Sequence, residues 1–175
     1  MILTPMKTSR ILIAVIALLV LPAGLNAQTG PALPPESRQF DFWIGEWDVT
    51  TPDGKPAGSS RIERIANGAG LLENWTGYPA PTGGNGKSLN AYNPARKQWQ
   101  QFWVGAGGGV LELAGGLVGK DMVLVGEHGV GGARLTEKIT WTPNADGSVR
   151  QHWEQSKDGG KTWTTAFDGL YRKKV

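Results

Sequence analysis

Phe40-Asp41-Phe42-Trp43-Ile44-Gly45-Glu46-Trp47-Asp48-Val49 is the stretch from which the fold is read. Phe40 and Trp43 are spaced i, i+3, so a helical turn within 36–42 sets them on one side. From Ile44 the period changes to two, with Trp47 and Val49 facing one way and Glu46 and Asp48 the other. An aromatic turn running straight into such a strand reads as a plug at one end of a small barrel, followed by the barrel's first strand.

Working outward toward the C-terminus, short alternating runs recur at 44–50, 59–65, 71–77, 88–92, 99–104, 110–114, 122–126, 135–141, 149–154 and 163–171. Turn signals separate them, among them Pro52-Asp53-Gly54, Asn67-Gly68, Asn93-Pro94, Asp146-Gly147 and Asp158-Gly159-Gly160. Asp-Gly suits a tight hairpin because its residues tolerate the positive φ such turns need. Glycine-rich loops are expected at 105–109 and at 127–133, the second containing His128. There are 26 glycines in 175 residues, about twice the usual ~7%, so turns are dense. Nine or ten short strands with hairpin connections predict an antiparallel all-β domain. An open meander of that length would expose two sheet edges, and closure removes them. A closed up-and-down barrel of about eight to ten strands is therefore expected, with a β-sandwich as the alternative.

Upstream of the aromatic stretch, residues 1–27 read as a signal peptide. Lys7 and Arg10 form a basic start, 11–21 is an unbroken apolar run, and Pro22, Gly24 and Ala27 follow as a processing site. The run is too short to span a bilayer, which takes roughly 20 apolar residues. Residues 28–35 form a proline-bearing mobile leader, and 36–175 a single domain. The chain is expected to be exported, to a periplasm or the medium, without stable membrane insertion once the signal is removed. Two of the three net positive charges belong to the signal. The remaining basic residues are scattered apart from Arg172-Lys173-Lys174, which argues against a nucleic-acid partner. There is no cysteine, so neither disulfides nor a thiol nucleophile contribute, and the core must hold the domain together alone. Eight tryptophans supply much of that core.

Two resemblances follow from these residues. Ile44-Gly45-Glu46-Trp47 resembles the Gly-x-Trp signature of the calycin superfamily, the lipocalins and their relatives. That likeness implies that Trp47 closes one barrel end and that a basic residue of the last strand, Arg172, packs on it. Over nearly all of 36–173, the opening motif, Glu73-Asn74-Trp75-Thr76-Gly77, and 147–163 with Val149, Trp153-Glu154 and Gly160-Lys161-Thr162-Trp163 are similar to the exported bacterial proteins of the domain of unknown function 1579 family. This second resemblance implies a lipocalin-like barrel and supplies no activity. Ser156-Lys157-Asp158-Gly159-Gly160-Lys161-Thr162-Trp163 also matches the Asp-box of sialidase propellers. It occurs once here instead of once per blade, and reads as a structural turn in which Asp158 accepts backbone N–H bonds and Trp163 packs beneath. A glycosidase is not inferred from it.

Function is sought in the polar residues that interrupt apolar faces. Glu73 lies between Leu71 and Trp75, Gln101 between Trp99 and Trp103, Glu137 between Leu135 and Ile139, and Gln151 between Val149 and Trp153, while Ser88, Asn90 and Tyr92 share a face. A carboxylate withdrawn from water is costly unless paired or protonated. Several such groups converging inside a barrel would make an aromatic-walled pocket with polar anchors. The candidate ligand-binding residues are Glu73, Trp75, Tyr92, Trp99, Gln101, Trp103, Glu137, Gln151 and Trp153; Trp43, Gly45, Trp47, Asp158, Trp163 and Arg172 are assigned structural roles. The plainer alternative is that the polar groups bond one another and line nothing.

Nothing identifies a nucleophile, a metal motif, a phosphate loop or a cofactor, so no catalytic residue is named. A haem site like that of the nitrobindin-like barrels needs an inward histidine, and His152 faces outward if Trp153 faces inward; only a one-residue bulge would reverse it. The expected function is binding of a small, partly apolar molecule. An enzyme using a buried glutamate as general acid or base, and a filled structural or interaction domain, are the alternatives.

Overall fold

The structure, a computed structural model, describes residues 32–79, 84–130 and 133–174. The signal peptide and the start of the leader lie outside the described residues. Ten strands follow in chain order: β1 (Gly45–Thr50), β2 (Pro56–Ile65), β3 (Gly70–Gly77), β4 (Asn85–Asn93), β5 (Gln98–Gly105), β6 (Val110–Val118), β7 (Asp121–Val130), β8 (Ala133–Pro143), β9 (Val149–Ser156) and β10 (Thr164–Lys173). Each pairs antiparallel with its neighbour in sequence, and β10 pairs with β1, so the sheet closes into an up-and-down barrel. The sandwich alternative is thereby excluded.

One end is sealed by the aromatic stretch. Short 3-10 turns at Pro35–Arg38 and Asp41–Trp43 carry Phe40 and Trp43 beneath the barrel, stacked at 4.9 Å between ring centroids. Phe40 also meets Trp99 and Trp141 edge-on at 5.6 and 5.1 Å, and Trp43 meets Tyr171 at 6.3 Å. Three strands, β5, β8 and β10, thus converge on two rings that are fully buried. Such a cluster combines a large buried apolar area with favourable edge-to-face geometry.

The Gly-x-Trp step has a local cause. Gly45 adopts φ +146°, a conformation L side chains rarely adopt, and this turns the chain from plug into strand. Trp47 then folds back so that its indole N–H donates to the Trp43 carbonyl at 3.0 Å. The cation over the Trp47 ring is Lys173, at 5.6 Å, and not Arg172. The register explains the correction: Trp47 pairs with Lys173, whereas Arg172 pairs with Asp48 on the outer face.

A second correction concerns β10. Strict alternation over 163–171 predicts that Trp163, Thr165, Phe167 and Tyr171 share one inward face, but a bulge between Thr165 and Phe167 interrupts it. Thr165 is opposite Glu154 and exposed, Trp163 lies outside under the Lys138 ammonium at 4.1 Å, and only Phe167 and Tyr171 face inward. Asp158 behaves as the Asp-box reading expects. Its carboxylate accepts from the Lys161 and Thr162 amides at 3.0 and 2.9 Å and from the Thr162 hydroxyl at 2.6 Å. Those bonds, the Thr162 hydroxyl foremost, hold the carboxyl down at about 2.

Because Trp43 is fully buried and packs against rings of β8 and β10, Trp43→Ala is expected to cost about 3–5 kcal/mol of unfolding free energy in urea titrations. Trp163→Ala, which removes an outer-surface ring, is expected to cost about 1 kcal/mol or less. Equal losses would contradict the assignment of Trp43 as the plug.

Candidate functional site

Above the plug the barrel is hollow. A cavity of about 850 Å³ opens at the opposite end, beside described residues of the β1–β2, β3–β4 and β5–β6 connections. Its walls include Trp75, Trp103, Trp141, Trp153, Phe167 and Tyr171, with Glu73, Gln101 and Gln151 among them.

The lumen stays open because its large rings lie where side chains have been omitted. A Cβ on Gly86 would stand 2.2 Å from the Trp103 ring, and one on Gly58 would stand 2.6 Å from the Trp75 ring. Each ring therefore lies against the wall over a glycine of the neighbouring strand instead of projecting across the barrel.

The polar residues are held to the wall too, by bonds that run sideways between adjacent strands. Glu73 is directly opposite Ser88 on β4 and diagonal to Ser60 on β2. Ser60 Oγ donates to Glu73 Oε1 at 3.1 Å and Ser88 Oγ to Glu73 Oε2 at 2.9 Å. Asn90 Nδ2 donates to Ser88 Oγ at 2.8 Å, and Gln101 Nε2 to Asn90 Oδ1 at 2.8 Å. The result is a ladder across β2, β3, β4 and β5 in which successive donors point toward Glu73. Burial nonetheless pushes the Glu73 carboxyl up to about 7, the two serine bonds opposing that rise. Tyr171, whose hydroxyl donates to Gln151 Oε1 at 2.5 Å, is also pushed well above its ordinary value by burial and then by the charge of Glu73.

A second group forms around Glu137, which is 1% exposed. It accepts from the Trp153 indole at 2.5 Å and from Gln155 Nε2 at 3.0 Å, and His128 Nε2 stands 3.7 Å away. His128 was expected in a glycine loop. It lies within β7, opposite Leu135 and on the side of the strand that faces Glu137. His152 is outward, between Thr140 and Asp168 in register, with Thr165 Oγ1 at 3.1 Å. Among the described residues no three acidic or histidine side chains are grouped as a metal ion would need.

Of the nine candidate residues, Glu73, Trp75, Gln101, Trp103, Gln151 and Trp153 line the cavity together. Glu137 sits behind Trp153 as its hydrogen-bond acceptor. Tyr92 and Trp99 belong to the plugged end, where Trp99 Nε1 donates to Gln39 Oε1 at 3.2 Å and Tyr92 packs on Trp99 at 6.3 Å. Sequence reasoning missed Ser60, Gln155 and His128. The signal for Ser60 was present, since Gly58, Ser60 and Ile62 alternate as an inner face with small and polar members. Compared with known proteins, the chain matches no family model, and no curated protein matches it.

The raised Glu73 value lies above the 4.5 expected of an unfolded glutamate, so folding favours the protonated form. Its contribution to stability is fully present below about 4.5 and is lost as the pH rises through about 7. Glu73→Gln is expected to flatten that dependence: between pH 4.5 and 8.5 the wild type should lose about 3 kcal/mol more than the variant. Parallel curves for the two proteins in urea titrations would show that Glu73 titrates as an exposed carboxyl does.

Proposed function

We propose that this protein is an exported barrel that binds a small, partly apolar molecule in its interior, working in a periplasm or outside the cell. The observation that carries the reading is the open lumen, aromatic rings on its wall and polar groups tied sideways so that they do not fill it. About 850 Å³ lies within the range of drug-sized ligand sites. The sequence likeness to the domain of unknown function 1579 family, with its exported members, supports the compartment and belongs to the same proposal. Trp75, Trp103 and Trp153 act as walls, and Glu73, Gln101 and Gln151 as anchors that set ligand orientation. The binding of nucleic acid and stable membrane insertion form no part of the reading.

A second reading has its own observation. A carboxyl poised at about 7 inside a cavity is suited to take up and give back a proton, which makes Glu73 the candidate general acid or base of this alternative. Titration of Glu73 near 4.5 by side-chain NMR would remove that alternative.

Native mass spectrometry of protein purified from its own host tests the binding reading. A reproducible added mass that leaves on denaturation is expected. Trp75→Ala is expected to lose that mass while costing only about 1–3 kcal/mol of stability. An unliganded mass, together with no uptake of apolar fluorescent probes by the purified chain, would contradict an interior binding site.

A further inference from the structure

The cavity's charge distribution narrows the ligand class, and the narrowing rests on the binding reading above. Among the described residues that line the cavity, the charged groups are Asp53 and Lys55 at the rim and Glu73 within. The rim pair neutralises itself, Lys55 Nζ lying 2.7 Å from Asp53. Arg64, on the Ile62 side of β2, ion-pairs with Asp41 toward the plug. A ligand carboxylate or phosphate would therefore meet no unpaired lysine or arginine among those lining residues, and would meet the repulsion of Glu73.

A cation meets the reverse. The ladder from Gln101 through Asn90 and Ser88 ends on Glu73 with every donor pointing at the carboxylate, an arrangement that favours negative charge there. Each Glu73 oxygen accepts a single serine bond, Oε1 from Ser60 and Oε2 from Ser88, and a carboxylate oxygen has two lone pairs. The same cavity is walled by Trp75, Trp103, Trp153 and Phe167, whose π-systems attract an organic cation, and whose apolar area covers its carbon body.

We propose that the interior site selects a hydrophobic organic cation, an ammonium group on an apolar or aromatic body, with Glu73 as its counter-ion. Burial opposes an uncompensated charge on Glu73, and an incoming ammonium supplies the compensation, so binding near neutral pH expels a proton from Glu73. The other groups facing Glu73 leave this coupling alone: Ser60 and Ile62 on β2 and Ser88 on β4 do not titrate, and Tyr171 on β10 stays neutral because its pKa is raised further.

The test uses three probes of similar shape, each titrated calorimetrically into the purified protein. They are 3-phenylpropyl-trimethylammonium, its uncharged analogue with carbon in place of nitrogen, and 4-phenylbutanoate. At pH 8 the cation should bind at least about tenfold more tightly than the neutral analogue, with the anion weakest. In Glu73→Gln the cation should lose that advantage over the neutral analogue. In the wild type, which needs no variant to fold, cation affinity should rise between pH 6 and 8 while the neutral analogue's stays level. Equal binding of cation and neutral probe, preference for the anion, or a cation advantage that survives Glu73→Gln would overturn the proposal and leave the pocket itself standing. Failure of all three probes to bind would overturn the pocket and the cation preference together.

Discussion

Pairing Trp47–Thr50 of β1 with Leu170–Lys173 of β10 closes ten strands on themselves and satisfies the backbone groups that an open sheet would expose. Closure at this strand number has a geometric consequence. The circumference is wide enough that inward side chains do not automatically meet at the centre. The interior must then be filled by something, or remain a space for something else. The chain does the first at one end, where the short 3-10 turns bring Phe40 and Trp43 into the barrel mouth. It leaves the second at the other.

Two devices keep the open half open. Glycines at positions 58 and 86 let the Trp75 and Trp103 rings lie along the wall. Polar residues bond laterally, serine to glutamate to serine and glutamine to asparagine, so that their reach is spent along the sheet. Both use the same property of antiparallel pairing: directly opposite and diagonal neighbours on one face are within side-chain reach. The same devices place a desolvated carboxyl at the lumen surface, which is why Glu73 departs so far from ordinary glutamate behaviour.

Much of this was legible in the sequence wherever alternation is strict. The ten runs, their hairpins and the inward positions of Glu73, Gln101, Glu137 and Gln151 follow from period two alone, because successive residues must face opposite sides. The failures share a cause. At Thr165 a bulge adds one residue and reverses the facing of everything before it, so Trp163 lies outside. Around His128, glycines and a weak apolar pattern read as a loop, yet pairing with 133–135 continues the ladder. Lys173 took the place expected for Arg172 because a one-residue difference in register exchanges inner and outer faces.

The sequence by itself determined the class of fold, the aromatic plug and the set of polar residues that face inward, since those depend on local periodicity and turn chemistry. Only the tertiary structure decided that the barrel closes with ten strands, that Tyr92 and Trp99 belong to the plug and not to the cavity, and that Ser60 and Ser88 converge on Glu73 from two different strands. Those outcomes depend on cross-strand register and on which space a ring occupies between strands. Such distances are set by residues far apart in the chain, and local pattern carries no measure of them.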